Sequence, residues 1–132
     1  MEGSLVKFGD VFRHREKEYV FLAQTVDVVY AALILDEIMT EKFQKISDIQ
    51  ETKLTTRRKT AAFSFVILRS EAFKGRAAHL AKTDNSEHQA TRFDLITSLN
   101  KEDCLQIKNE ILSEDSPVSL QLISIVKDLN IS

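Results

Sequence analysis

The chain contains a single proline, three glycines, one cysteine and no tryptophan. Gly3, Gly9 and Gly75 are too few and too scattered to form a glycine-rich phosphate cradle or a dinucleotide fingerprint. Cys104 has no partner for an intrachain disulfide, which points to a reducing compartment. There is no CxxC, no zinc-type histidine pair and no nucleophile elbow. His14, His79 and His88 are far apart, so a three-histidine metal site would need a tertiary coincidence. The expectation is therefore no metal and no cofactor.

Charge of one sign is also missing. The formal net charge of −2 argues against a protein held on nucleic acid or lipid by bulk charge alone. The longest apolar run, "VVYAALIL" at 28–35, falls well short of the roughly 20 residues that span a bilayer. The opening "MEGSLVKFGD" lacks the basic start and apolar stretch of a signal peptide. A cytoplasmic location with no membrane contact is expected.

What is present fits one domain over 1–132, with 132 residues enough to bury roughly two-thirds of the unfolded surface. Gly9–Asp10 punctuates the start of a strand at "DVF", and "HREKE" at 14–18 reads as a polar loop. "YVFLAQT" (19–25) and "VVYAALIL" are rich in β-branched and aromatic residues and form an antiparallel hairpin. The second is apolar on both faces, which predicts a central strand. Helix competes for "AALILDEIM", since alanine and leucine favour it. Residues 36–60 are polar and mixed, read as a short strand and long loop or as one short helix. "AAFSFVILRS" (61–70) alternates as a strand, "EAFKG" turns at Gly75, and "RAAHLAK" (76–82) is a further strand. "TDNSEHQ" is a loop and "RFDLI" (92–96) a last short strand.

The period then changes. Asn100 caps a helix whose stripe is Cys104, Ile107 and Ile111. "SEDSP" ends it, and Ser116–Pro117 opens a second helix striped by Val118, Leu122, Ile125, Val126 and Leu129. Leu120 and Ile123 widen that stripe enough to cover a sheet or another subunit. The expected fold class is mainly β (α+β). Its expected architecture is a small SH3-like antiparallel β-barrel over about 5–97, with helices over about 100–113 and 117–129.

Two stretches carry candidate chemistry. In "RHRE", His14 can shuttle protons near neutral pH, and Arg13 and Arg15 can hold phosphate oxygens. The competing reading is a solvated loop of mixed charge. "KLTTRRKT" carries Lys53, Arg57, Arg58 and Lys59 with no acid, so it can track a nucleic-acid backbone, with Arg57 stabilising a transition-state charge. Its competing reading is a flexible solvated loop. His79 within "AAHLA" reads as a partly buried strand histidine and Cys104 as a core residue. Phe63, Phe65 and Phe73 can stack bases, but in alternating strands they are more often core.

The order of elements, with "FGDVF" (8–12) and "SLNKEDCLQIKNEIL" (98–112), resembles the PemK/MazF-like toxins of bacterial toxin–antitoxin systems. The resemblance covers most of residues 5–112 as a pattern. It implies an SH3-like barrel, a homodimer, metal-independent cleavage of single-stranded RNA, and an antitoxin protein that blocks the groove. It also implies an Arg-Pro pair before the second strand and a threonine or serine after a central strand. Here "EKEYVFL" offers only Lys17 near the first position; Asp36, and then Thr40, follow the central strand. The catalytic candidates are thus His14 and Arg57, with Arg13, Arg15, Lys53, Arg58 and Lys59 as RNA-binding candidates. The alternative is a non-catalytic SH3-like module that binds protein or nucleic acid.

Overall fold

The computed structural model describes residues 7–25, 29–53, 65–80, 84–85, 94–112 and 120–129. Among the described residues seven strands form one antiparallel sheet: β1 (Asp10–His14), β2 (Lys17–Gln24), β3 (Val29–Ile34), β4 (Phe65–Ile67), β5 (Ala77–His79), β6 (Asp84–Asn85) and β7 (Asp94–Ser98). The order is β4-β5-β3-β2-β1-β7, with β6 paired to β3 off that path. The helices are α1 (Glu37–Lys53), α2 (Lys101–Ile111) and α3 (Leu120–Lys127). The fold is α+β and mainly antiparallel. Among the described residues no pairing joins β4 to β7, so the described sheet is open.

β3 is central because its sequence tolerates nothing else. Val29, Tyr30, Ala31, Ala32 and Ile34 are all buried, on both faces of the sheet. Such a strand has to be covered from both sides. On one face Val11, Val20, Ala32 and Ala78 meet Cys104, Ile107 and Ile111 of α2 and Leu122 and Val126 of α3. Fully burying each Leu, Ile or Val there contributes roughly 1.5–3 kcal/mol. The Tyr30 hydroxyl donates to Gln121 Oε1 at 2.8 Å, and Lys108 Nζ to the Leu129 carbonyl at 2.5 Å, fixing α3 over the sheet and α2. Of the expected stripe, Leu122 and Val126 are buried and Ile123, Ile125 and Leu129 pack partly against the core, Leu120 is exposed, and Val118 lies outside the described residues. On the other face lie Phe12, Phe21, Val29 and Ala31, and beside them Leu35, Phe43 of α1 and Ala77.

Several elements follow the sequence closely. Asn100 does cap α2: its side chain accepts the Asp103 N–H at 2.8 Å. Gly75 turns with φ +87°. Gly9 is required twice over, since its φ is +94° and a Cβ there would stand 2.4 Å from Cys104 Sγ. Phe73 and Cys104 are core residues, and His79 is a half-buried strand residue packed edge-on against Phe43 at 4.8 Å.

Two elements differ from expectation. The polar stretch 14–18 is not a loop: His14 pairs with Lys17, and only Arg15 and Glu16 turn. Both have positive φ, 54° and 67°, the pattern of a type I′ hairpin turn, whose twist matches that of the flanking strands. Residues 37–53 form a 17-residue helix rather than a short one or a loop. Asp36 starts it by accepting the Met39 N–H at 2.8 Å, and Phe43 anchors it.

Candidate functional site

The site starts from the pleat. Successive side chains in a strand point to opposite faces. In the β1–β2 ladder Val11 pairs with Val20 and Arg13 with Glu18, so these four share the face covered by α2 and α3. Phe12–Tyr19 and His14–Lys17 share the other face. Beyond the last turn of hydrophobic cover, the first face ends in Arg13 and Glu18.

Arg76 completes this end. It follows Gly75, whose left-handed turn reverses the chain into β5. Its Nε donates to the Leu35 carbonyl at 2.8 Å, and its terminal nitrogen Nη2 donates to Glu18 Oε1 at 3.0 Å. Its guanidinium lies 5.6 Å from the Phe73 ring centroid, within cation–π range. Glu18 Oε2 takes Arg13 at 3.4 Å. One carboxylate therefore spans two guanidiniums. The Arg76 and Glu18 side chains are about a quarter exposed, 24% and 23%, whereas Arg13 is 58% exposed. Arg76 is held at three points and Arg13 loosely at one.

The structure brings together only part of the sequence-predicted set. Arg13 joins the cluster. His14 is on the opposite face, and Arg15 is at the turn itself. Lys53 ends α1, with its side chain outside the described residues, and Arg57, Arg58 and Lys59 lie outside them altogether. Of the positions the toxin resemblance points to, Lys17 is exposed on the His14 face. Asp36 is engaged in capping α1, and buried Thr40 accepts the Ala77 N–H at 3.0 Å. Glu18 and Arg76 were not singled out by the sequence reading. A lone acid and a lone arginine 58 positions apart leave no spacing signature.

Elsewhere an open depression of about 440 Å³ is lined by Ser70, Glu71, Ala72, Thr97, Ser98 and Asn100. Three of its lining residues, Ser70, Ser98 and Asn100, are tied into the scaffold. Asp103, fully buried, accepts the Arg69 N–H at both oxygens (2.9 and 3.0 Å), and the Ser70 N–H and hydroxyl at 2.7 Å each. Ser70 Oγ accepts the Asn100 N–H at 2.8 Å, and the Ser98 hydroxyl donates to Asp10 at 2.7 Å. A carboxylate that takes four contacts in this way locks the Arg69–Ser70 segment onto α2.

Among the described residues no three His, Cys, Asp or Glu side chains gather as metal ligands, and no helix is long and apolar enough to cross a membrane. No family model, curated protein or solved structure matches the chain.

Proposed function

We propose that the protein is a PemK/MazF-like, SH3-like barrel that engages single-stranded RNA through its phosphates at the Arg13–Glu18–Arg76 rim. The observation that carries this reading is the convergence of two guanidiniums on one carboxylate at a sheet end. Planar guanidiniums suit the paired oxygens of a phosphodiester. The toxin resemblance adds support. It looks for catalytic groups just before the second strand and just after the central one. In this chain Lys17 and Asp36 stand at those two places, and Arg76 bonds to their chain neighbours Glu18 and Leu35.

Within this reading the protein is a toxin–antitoxin toxin that cuts RNA without metal, works as a homodimer and is silenced by an antitoxin. His14 is its proton shuttle and Arg57 stabilises the transition-state charge, while Arg15, Lys53, Arg58 and Lys59 extend the RNA track. The non-catalytic alternative rests on one specific observation: His14 and the Arg13–Glu18 pair occupy opposite faces of β1 and β2.

The test is purified protein with labelled single-stranded RNA in chelator. Binding that weakens steeply with salt, and weakens again in Arg13→Ala and Arg76→Ala, supports the rim. Cleavage lost in His14→Ala supports the toxin, and binding without cleavage supports the module. RNA neither bound nor cut overturns the toxin and the RNA-binding module, and leaves only a module that binds protein.

A further inference from the structure

We infer that Glu18 holds the place of a ligand phosphate, so that Arg13 and Arg76 form a two-arginine anion seat which the free protein fills with its own carboxylate. The inference rests on reading the rim as a phosphate-binding surface. A carboxylate presents two oxygens on one centre, as a phosphate presents its non-bridging oxygens. Glu18 uses them as a bound phosphate would, Oε1 to Arg76 and Oε2 to Arg13.

The two arginines are held unequally, in the way an exchangeable seat needs. Arg76 is also held by the Leu35 carbonyl and by the Phe73 ring, two contacts that do not involve Glu18. Its fork is therefore pre-organised, and little rotamer entropy is lost when an anion arrives. Arg13 is mostly exposed and its contact with Glu18 is long, at 3.4 Å, so it can follow an incoming anion outward. Glu18 is itself a quarter exposed and on a strand end, where a rotamer change can release both guanidiniums to solvent. An entering phosphate replaces one charge-assisted pair with another, so its affinity is set by competition with Glu18. The ligand class is a phosphate mono- or diester. An RNA backbone and a free phosphate share that chemistry.

The experiment measures binding of inorganic phosphate and of a single-stranded RNA oligonucleotide to the wild type, Glu18→Gln, Glu18→Asp and Glu18→Gln/Arg13→Ala. Circular dichroism confirms that each variant is folded. Glu18→Gln should bind inorganic phosphate about fivefold or more tightly than wild type. Glu18→Asp, whose carboxylate falls one methylene short of the arginines, should show a smaller gain. It also serves as the readout if the glutamine variant does not fold. The gain should vanish when Arg13 is also removed. Phosphate affinity unchanged in both Glu18 variants overturns the inference, even if wild-type protein binds RNA and the proposed function stands. Tighter phosphate binding with no RNA binding in any variant keeps the anion seat and overturns its assignment to RNA.

Discussion

Arg76 and Glu18, 58 positions apart in the chain, meet at 3.0 Å across the end of the sheet. The same guanidinium also closes on the Leu35 carbonyl at 2.8 Å, so one side chain ties β2, the end of β3 and the approach to β5 together. Arg76→Lys tests whether the planar fork matters beyond its charge. A lysine ammonium is a point donor and cannot reproduce both contacts with the same geometry, nor the same stacking on Phe73. Because the site is partly exposed, the loss should be modest, about 1 kcal/mol in urea unfolding. A lysine variant as stable as wild type would mean the fork adds nothing to the charge.

Asp103 is the opposite case, a carboxylate out of reach of solvent. Its two oxygens take three contacts from backbone N–H groups and one from the Ser70 hydroxyl. Asp103→Asn keeps the shape but turns an amide NH2 toward donors. Buried donors left without acceptors cost about 1–3 kcal/mol each. Asp103→Asn should therefore lose about 2–4 kcal/mol, and Ser70→Ala about 1 kcal/mol, in chemical denaturation. Equal effects from the two variants would contradict the assignment of Asp103 as the centre of the lock.

The β1–β2 turn stores strain. Arg15 and Glu16 both have positive φ, where a side chain crowds the backbone at about 1–2 kcal/mol per residue. The pair Asn-Gly suits this turn best. Arg15→Asn together with Glu16→Gly should raise stability by about 1–2 kcal/mol, read as a higher melting temperature. The same change should weaken RNA binding, because it removes the cation at the tip. Stability and binding moving together would disconnect the turn from the rim.

How much of this was legible depended on locality. α2 could be read because its cap and stripe, Asn100 then Cys104, Ile107 and Ile111, lie within one short window. β3 could be read because it is apolar at successive positions. α1 was obscured because its early apolar residues face out: Ile38 is 67% exposed, and Phe43 carries the packing. The hairpin turn was hidden because Arg15-Glu16 lacks the glycine or asparagine that normally marks positive φ. Of the rim only Arg13 was legible, since register and the Gly75 turn, not sequence spacing, bring Glu18 to Arg76.

Cys104 carries a pH dependence whose sign can be worked out. Burial pushes its thiol above the ordinary range, the nearby Asp103 and Asp10 charges push it further, and Lys7 partly offsets them. Sγ contacts the Leu99 carbonyl at 3.9 Å as a weak donor, which also favours the protonated form. Below about pH 8.5 the thiol is neutral whether the chain is folded or not, so it adds no slope. Above that, the unfolded chain loses the proton while the native thiol keeps it. The unfolded state then binds fewer protons, and stability falls as pH rises through the native value. Cys104→Ala removes this contribution and replaces it with a cavity cost that does not vary with pH. The stability gap between wild type and Cys104→Ala should therefore narrow steadily from about pH 8.5 upward in denaturation curves. A gap that stays constant or widens over that range would mean the native thiol ionises as readily as a solvated one. Its slow reaction with thiol reagents in the folded protein, and fast reaction once unfolded, is the independent check.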